Sequence, residues 1–151
     1  MAGRLFDDGG KYILDVAFNG VSAETDFQLM LFTSPSTLTA DNNTLVEAAG
    51  GGYERQTVDT SDVEDVTTTS AIPGGIPIVQ WFDKTFVFTT GALTGNPTIY
   101  GYALLKGTAG SPHSVTDVIF AEEISPSVTP LNPNDEISIQ MNFRLGNGNP
   151  T

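Results

Sequence analysis

The chain has no cysteine among its 151 residues. This excludes disulfide staples, thiolate metal sites and a cysteine nucleophile. Basic residues are also scarce: six Lys and Arg against 18 acids give a formal charge of −12. The six, Arg4, Lys11, Arg55, Lys84, Lys106 and Arg144, are scattered along the chain. Nucleic acid and anionic membranes are held by clustered cations, so neither is expected as a partner. No apolar run approaches the ~18 residues of a membrane span. Residues 1–10 lack a cationic start followed by an apolar stretch, so no signal peptide is expected. There is one histidine and one tryptophan, which leaves little material for acid–base chemistry or for a broad stacking surface.

What is present is hydrophobic alternation cut by turns. With 39% hydrophobic residues the chain can bury one core. Residues 136–145 place Ile137, Ile139, Met141, Phe143 and Leu145 on one face and Ser138, Gln140, Asn142 and Arg144 on the other. Period two of this kind predicts a half-buried antiparallel strand. Residues 96–105 and 115–123 are read the same way. Residues 27–32, Phe-Gln-Leu-Met-Leu-Phe, form a short apolar run that predicts a strand buried on both faces. Further strands are expected over 12–18, where Leu14, Val16 and Phe18 alternate with Ile13, Asp15 and Ala17, over 53–58 and over 76–89. The acidic, Thr-rich stretch 61–70 is read as a loop or edge strand. Asp41-Asn42-Asn43-Thr44 ahead of Leu45 to Ala49 suggests a short helical turn or a loop, stopped by Gly50-Gly51-Gly52. Sixteen Gly and nine Pro suit many turns. About eight strands follow, and the expected fold is all-β: an antiparallel β-sandwich, jelly-roll or Ig-like. Residues 26–151 form its single domain, and residues 1–25 an N-terminal arm or an edge strand.

Candidate chemistry is thin. His113 lies in Gly110-Ser111-Pro112-His113-Ser114, read as an exposed loop tip. Ser111 and Ser114 are too close in sequence to complete a triad with it. The acids Asp59, Asp62, Glu64 and Asp65 have the residue types of a glycosidase pair, but a solvated loop is the simpler reading. Asp41-Asn42-Asn43 and Asn132-Pro133-Asn134-Asp135 are fragments of a calcium loop, and neither is a complete one. Asn42-Asn43-Thr44 is a sequon taken as chance. The three glycines are followed by no Lys-Ser/Thr and are not a phosphate cradle. Trp81, Tyr100 and Tyr102 have the composition of a sugar platform, although such residues are more often core. The chain is read as non-enzymatic, with no cofactor and no metal.

Several segments resemble a family of small structural proteins of tailed bacteriophages. Leu31-Phe32-Thr33 resembles the opening strand of that family, and residues 41–53 its short acidic segment followed by glycine and tyrosine. Trp81 matches its central tryptophan. Thr98-Ile99-Tyr100-Gly101-Tyr102 is the best match, continued by Phe120-Ala121-Glu122-Glu123. The likeness spans about 27–145; residues 1–25 and an insertion around 61–75 depart from it. It implies an exterior virion protein, made in the host cytoplasm and placed on the capsid surface as a decoration (cement) protein. Its implied partners are the major capsid protein and copies of itself, as a trimer or other homo-oligomer. Arg4, Leu5, Phe6, Pro73 and Ile76 are the candidate partner contacts. The alternative is a tail or receptor-binding module that recognises carbohydrate.

Overall fold

The computed structural model of the protein describes residues 4–35, 38, 45–62, 67–68 and 77–144. Pro73 and Ile76, Glu64 and Asp65, the Asp41-Asn42-Asn43 segment, and the Trp81, Phe143 and Arg144 side chains lie outside what it describes.

The elements in chain order are β1 (Arg4–Leu5), α1 (Asp7–Phe18), β2 (Asp26–Phe32), β3 (Gln56–Asp59), β4 (Thr67–Thr68), β5 (Pro77–Phe88), β6 (Ile99–Lys106), β7 (Val118–Val128) and β8 (Asp135–Arg144). They form two antiparallel sheets, ordered β1-β7-β6-β2-β3 and β4-β5-β8. The all-β sandwich is therefore the fold. Its inner core joins Leu29 and Leu31 of β2, Phe86 and Phe88 of β5, Ile99, Tyr102 and Leu104 of β6, and Ile137, Ile139 and Met141 of β8. The alternation read in residues 136–145 thus points its apolar row inward along the described part of β8.

A second cluster lies on the opposite face of the larger sheet: Phe6, Met30, Phe32, Leu45, Ala103, Leu105, Val118 and Ala121. That sheet is covered on both sides, so Leu29, Met30, Leu31 and Phe32 are all fully buried, as the unbroken apolar run predicts. It also corrects the reading of residues 96–105 as half-wet. Tyr102, Ala103, Leu104 and Leu105 are all buried, because Phe6 and the segment holding Leu45 roof the second face.

The N-terminal expectation needs a larger correction. Residues 12–18 belong to α1, not to a strand. Ile13 and Ala17 break the polar side of the alternation, so the apolar positions fit a 3.6-residue period as well as a period of two. Length and charge decide between them. The element runs twelve residues, and Asp7 and Asp8 occupy its first turn, where the helix dipole favours anions. The segment nevertheless joins the sandwich. Arg4 and Leu5 pair with Ala121 and Phe120 of β7, and Phe6 is only 3% exposed. Within the described part of residues 1–25, Arg4 and Leu5 form a two-residue edge strand and residues 7–18 a helix, an element that neither reading of the segment contained.

Gly9 sets how closely α1 approaches β7. A Cβ built there would lie 2.2 Å from the Ile119 carbonyl oxygen, whereas one on Gly10 would meet only Leu5 Cδ2 at 3.8 Å. The two neighbours therefore respond oppositely to alanine. Gly10→Ala is expected to stabilise by up to about 1 kcal/mol through helix propensity. Gly9→Ala forces the helix off the sheet and is expected to destabilise by about 1–3 kcal/mol. Urea denaturation of the two variants measures both signs.

Gly50, Gly51 and Gly52 all have positive φ, at 78°, 64° and 75°. Their backbone is pinned to the turn after β5: Thr94 N–H donates to Ala49 O at 2.7 Å and Thr90 N–H to Gly51 O at 3.2 Å. Of the helical turn or loop expected over 45–49, the loop is what forms. Glu47 bridges Phe32 and Gly50 bridges Leu93, because the segment roofs the sheet and meets its backbone groups.

Candidate functional site

Two surfaces gather side chains of interest. The first is centred on Arg55, just before β3. All five guanidinium donors are engaged. Nε donates to Glu47 Oε1 at 2.6 Å and Nη2 to Glu47 Oε2 at 2.7 Å. Nη1 donates to Gln28 Oε1 at 2.7 Å and to Ala109 O at 2.9 Å, and Nη2 also to Gly110 O at 2.9 Å. Tyr53 completes the set. Its hydroxyl accepts from Leu31 N–H at 3.1 Å and donates to Glu47 Oε1 at 3.2 Å, and its ring stacks on Phe86 at 5.9 Å. Burial and the neighbouring Glu47 carboxylate push the Tyr53 phenol far above its ordinary range, while the hydrogen bond to Glu47 raises the guanidinium of Arg55. Arg55 is held as the cation and Tyr53 as the neutral phenol, both fully hydrogen-bonded, which is the behaviour of a clamp. It ties β2, the 45–55 segment and the 107–114 loop together.

His113 belongs to the margin of this clamp. It is half-buried, and the carbonyls that Arg55 draws in fold its loop onto residues 45–49; this corrects the exposed-tip expectation. Nδ1 is shielded and has no hydrogen-bond partner. Desolvation lowers the pKa of the imidazole. Ser111 Oγ donates weakly to Glu47 at 3.4 Å, so it is not directed at His113 and the two are not coupled as nucleophile and base. Protonating His113 opposes folding. Its contribution is present above the unfolded value of about 6.5 and is lost as pH falls through the lowered folded value.

The other sequence candidates resolve as local structure. Asp59 accepts from the Ser61 backbone and hydroxyl, and Asp62 accepts from Asp59 N–H at 2.9 Å and pairs with Lys84 at 2.7 Å. Both carboxylates thus close a turn. Asp135 accepts from Asn132 and Leu131 N–H at 2.9 and 2.8 Å, which explains its lowered pKa and closes the turn that opens β8. No cluster of three metal-ligating side chains occurs among the described residues. Tyr102 is 6% exposed and donates its hydroxyl to Glu122, so it offers no face to a sugar.

The second surface is α1 itself. Leu14 and Phe18 stand one turn apart and are 56% and 81% exposed, with Ile13 and Val21 beside them. Leu5, Gly10, Lys11, Leu14, Asp15 and Asn19 line a shallow groove along this row. Lys11 pairs with Asp15 within the helix. Of the N-terminal contacts expected from the sequence, Leu5 is at the groove and exposed, Phe6 is packed inside its own chain, and only the backbone of Arg4 is described. Leu14 and Phe18 were missed because they were assigned to a strand; the Asp7-Asp8 pair opening a twelve-residue stretch was the available signal. No family model, no curated protein and no solved structure matches this chain.

Proposed function

We propose that this chain is a non-enzymatic virion structural protein, a capsid decoration protein that bridges major capsid subunits on the outer surface of a phage head. The observation that carries the reading is the apolar row of α1, Leu14 and Phe18, held at the surface of a sandwich with a net charge of −12. Exposed apolar rows of this kind mark protein contacts. Asp7 and Asp8 open the helix that carries the row, so the matching coat surface is apolar with a basic rim. A second support comes from the segments that resemble the phage family. They meet in the larger sheet: Phe32 pairs with Gly101, Leu31 with Tyr102, and Tyr102 with Glu122. Such a meeting is what a shared fold signature requires, and it accounts for these motifs without chemistry. Many weak bridges across a lattice stabilise the assembled particle by mass action.

The test is peptide mass spectrometry and immunogold labelling of gradient-purified particles that carry the gene. Labelling over heads is expected. Label confined to tails would favour the receptor-binding alternative, and absence from purified particles would overturn both. A Leu14→Ser, Phe18→Ser chain should keep its stability within about 0.5 kcal/mol, as surface changes do, and should lose occupancy on particles.

A further inference from the structure

Most sheet edges among the described residues are blunted. β1 and β4 have two residues each and β3 four, β5 beyond its pairing with β4 carries Lys84 and an irregularity at residue 81, and β7 beyond its pairing with β1 carries Glu122, Glu123 and Pro126. The outer edge of β8 is different. It runs ten residues, Asp135–Arg144, without Gly, Pro or Lys, and among the described residues β8 is the terminal strand of its sheet. Its register slip with β5 falls at Gln80/Phe82, where residue 81 of β5 is the extra one, so β8 itself continues unbroken. Long regular edges without protection pair with other strands.

We propose that two copies of this chain pair antiparallel through β8, about a two-fold axis at Gln140, joining two three-stranded sheets into one. The sequence of the strand selects this register. Ile137, Ile139 and Met141 are buried while Glu136, Ser138 and Gln140 are exposed. Only a register that sets like faces opposite one another avoids turning one copy's apolar row to water. Two of those registers pair nine residues each, centred on Ile139 and on Gln140, and the charges choose the one centred on Gln140. It places Ile139 opposite position 141 of the other copy, Ser138 opposite position 142, and Glu136 opposite position 144, which is an arginine. The strand is thus complementary in charge to its own reverse, and opposite charges across a strand pair are favourable. The pairing forms roughly eight to ten main-chain hydrogen bonds. A charge of −12 on each copy opposes association at long range, so added salt strengthens the dimer. The contact is isologous and closes at two copies. This goes beyond the proposed function and does not depend on its virion reading.

The absence of native cysteine makes the test unambiguous. Gln140→Cys places the two thiols across the axis, and copper-phenanthroline oxidation is expected to give a disulfide-linked dimer in high yield. In Ser138→Cys each thiol lies about 14 Å from its copy along the strand, and little cross-linking is expected. Sedimentation equilibrium should show a wild-type dimer and a Gln140→Lys monomer. The lysine faces Asp83 directly across β5, so circular dichroism should report an unchanged fold. A monomeric or trimeric wild type, or equal cross-linking at positions 138 and 140, would overturn the pairing. None of these readouts involves a particle, so their failure is distinct from a failure of head labelling.

Discussion

Leu104→Asp is expected to abolish the folded state, and Ile139→Asp to weaken it without abolishing it. Both side chains belong to the inner core, and Leu104 is fully buried. Truncating a buried leucine costs about 2–5 kcal/mol, and an unpaired carboxylate in the core adds several more. Together these reach the whole stability of a domain, about 5–15 kcal/mol. Ile139 differs in its neighbour. Its partner across the ladder is Lys84, whose stem passes along the core while its ammonium reaches Asp62 at 2.7 Å. A carboxylate at position 139 has that ammonium within reach and competes with Asp62 for it. Near-ultraviolet circular dichroism and urea titration are expected to show no cooperative transition for Leu104→Asp and a shifted but cooperative one for Ile139→Asp. Equal behaviour of the two would show that Lys84 does not respond.

Arg55→Ala carries the second large effect. The change removes five hydrogen bonds and leaves Glu47, whose side chain is 15% exposed, without its counter-ion. Breaking a buried ion pair on one side typically costs about 3–5 kcal/mol. For a domain of this length that is a fall in melting temperature of roughly 6–20 °C. Arg55→Lys is expected to recover only a small part, because an ammonium cannot present the fork that spans Glu47, Gln28 and two carbonyls. A scanning calorimetry series of wild type, Lys and Ala variants checks the order. A lysine variant as stable as wild type would show that charge alone holds the clamp.

The elements that read correctly are those whose hydrophobic pattern admits one period. β8 alternates cleanly, and β2 is too short and too apolar to be anything but a strand covered twice. α1 read wrongly because its residues satisfy two periods, and only the tertiary partner, the backbone of Ile119 against Gly9, separates them. The wet face assigned to β6 failed for a related reason: what roofs it, Phe6 and Leu45, comes from distant parts of the chain. At the candidate site, Leu5 was legible only as a candidate contact, and it lies exposed beside the groove. Phe6 was not legible as core, since its burial depends on α1 turning back over β7. The Arg55 clamp was invisible because its partners, Gln28, Glu47 and the 109–110 carbonyls, are brought together only by the sheet.

The three glycines at 50–52 have a consequence for reading mutational data on this protein. A Cβ at each would meet Thr94 Oγ1 at 2.1 Å, Gly91 O at 2.4 Å and Thr89 Oγ1 at 2.0 Å, and each φ lies where side chains are strained. In a saturation scan these positions would reject nearly every residue, and two of them, Gly50 and Gly52, are exposed at the protein surface. Intolerance at a surface is commonly taken as the mark of a ligand site. Here it would report only that two turns approach too closely for any side chain to stand between them.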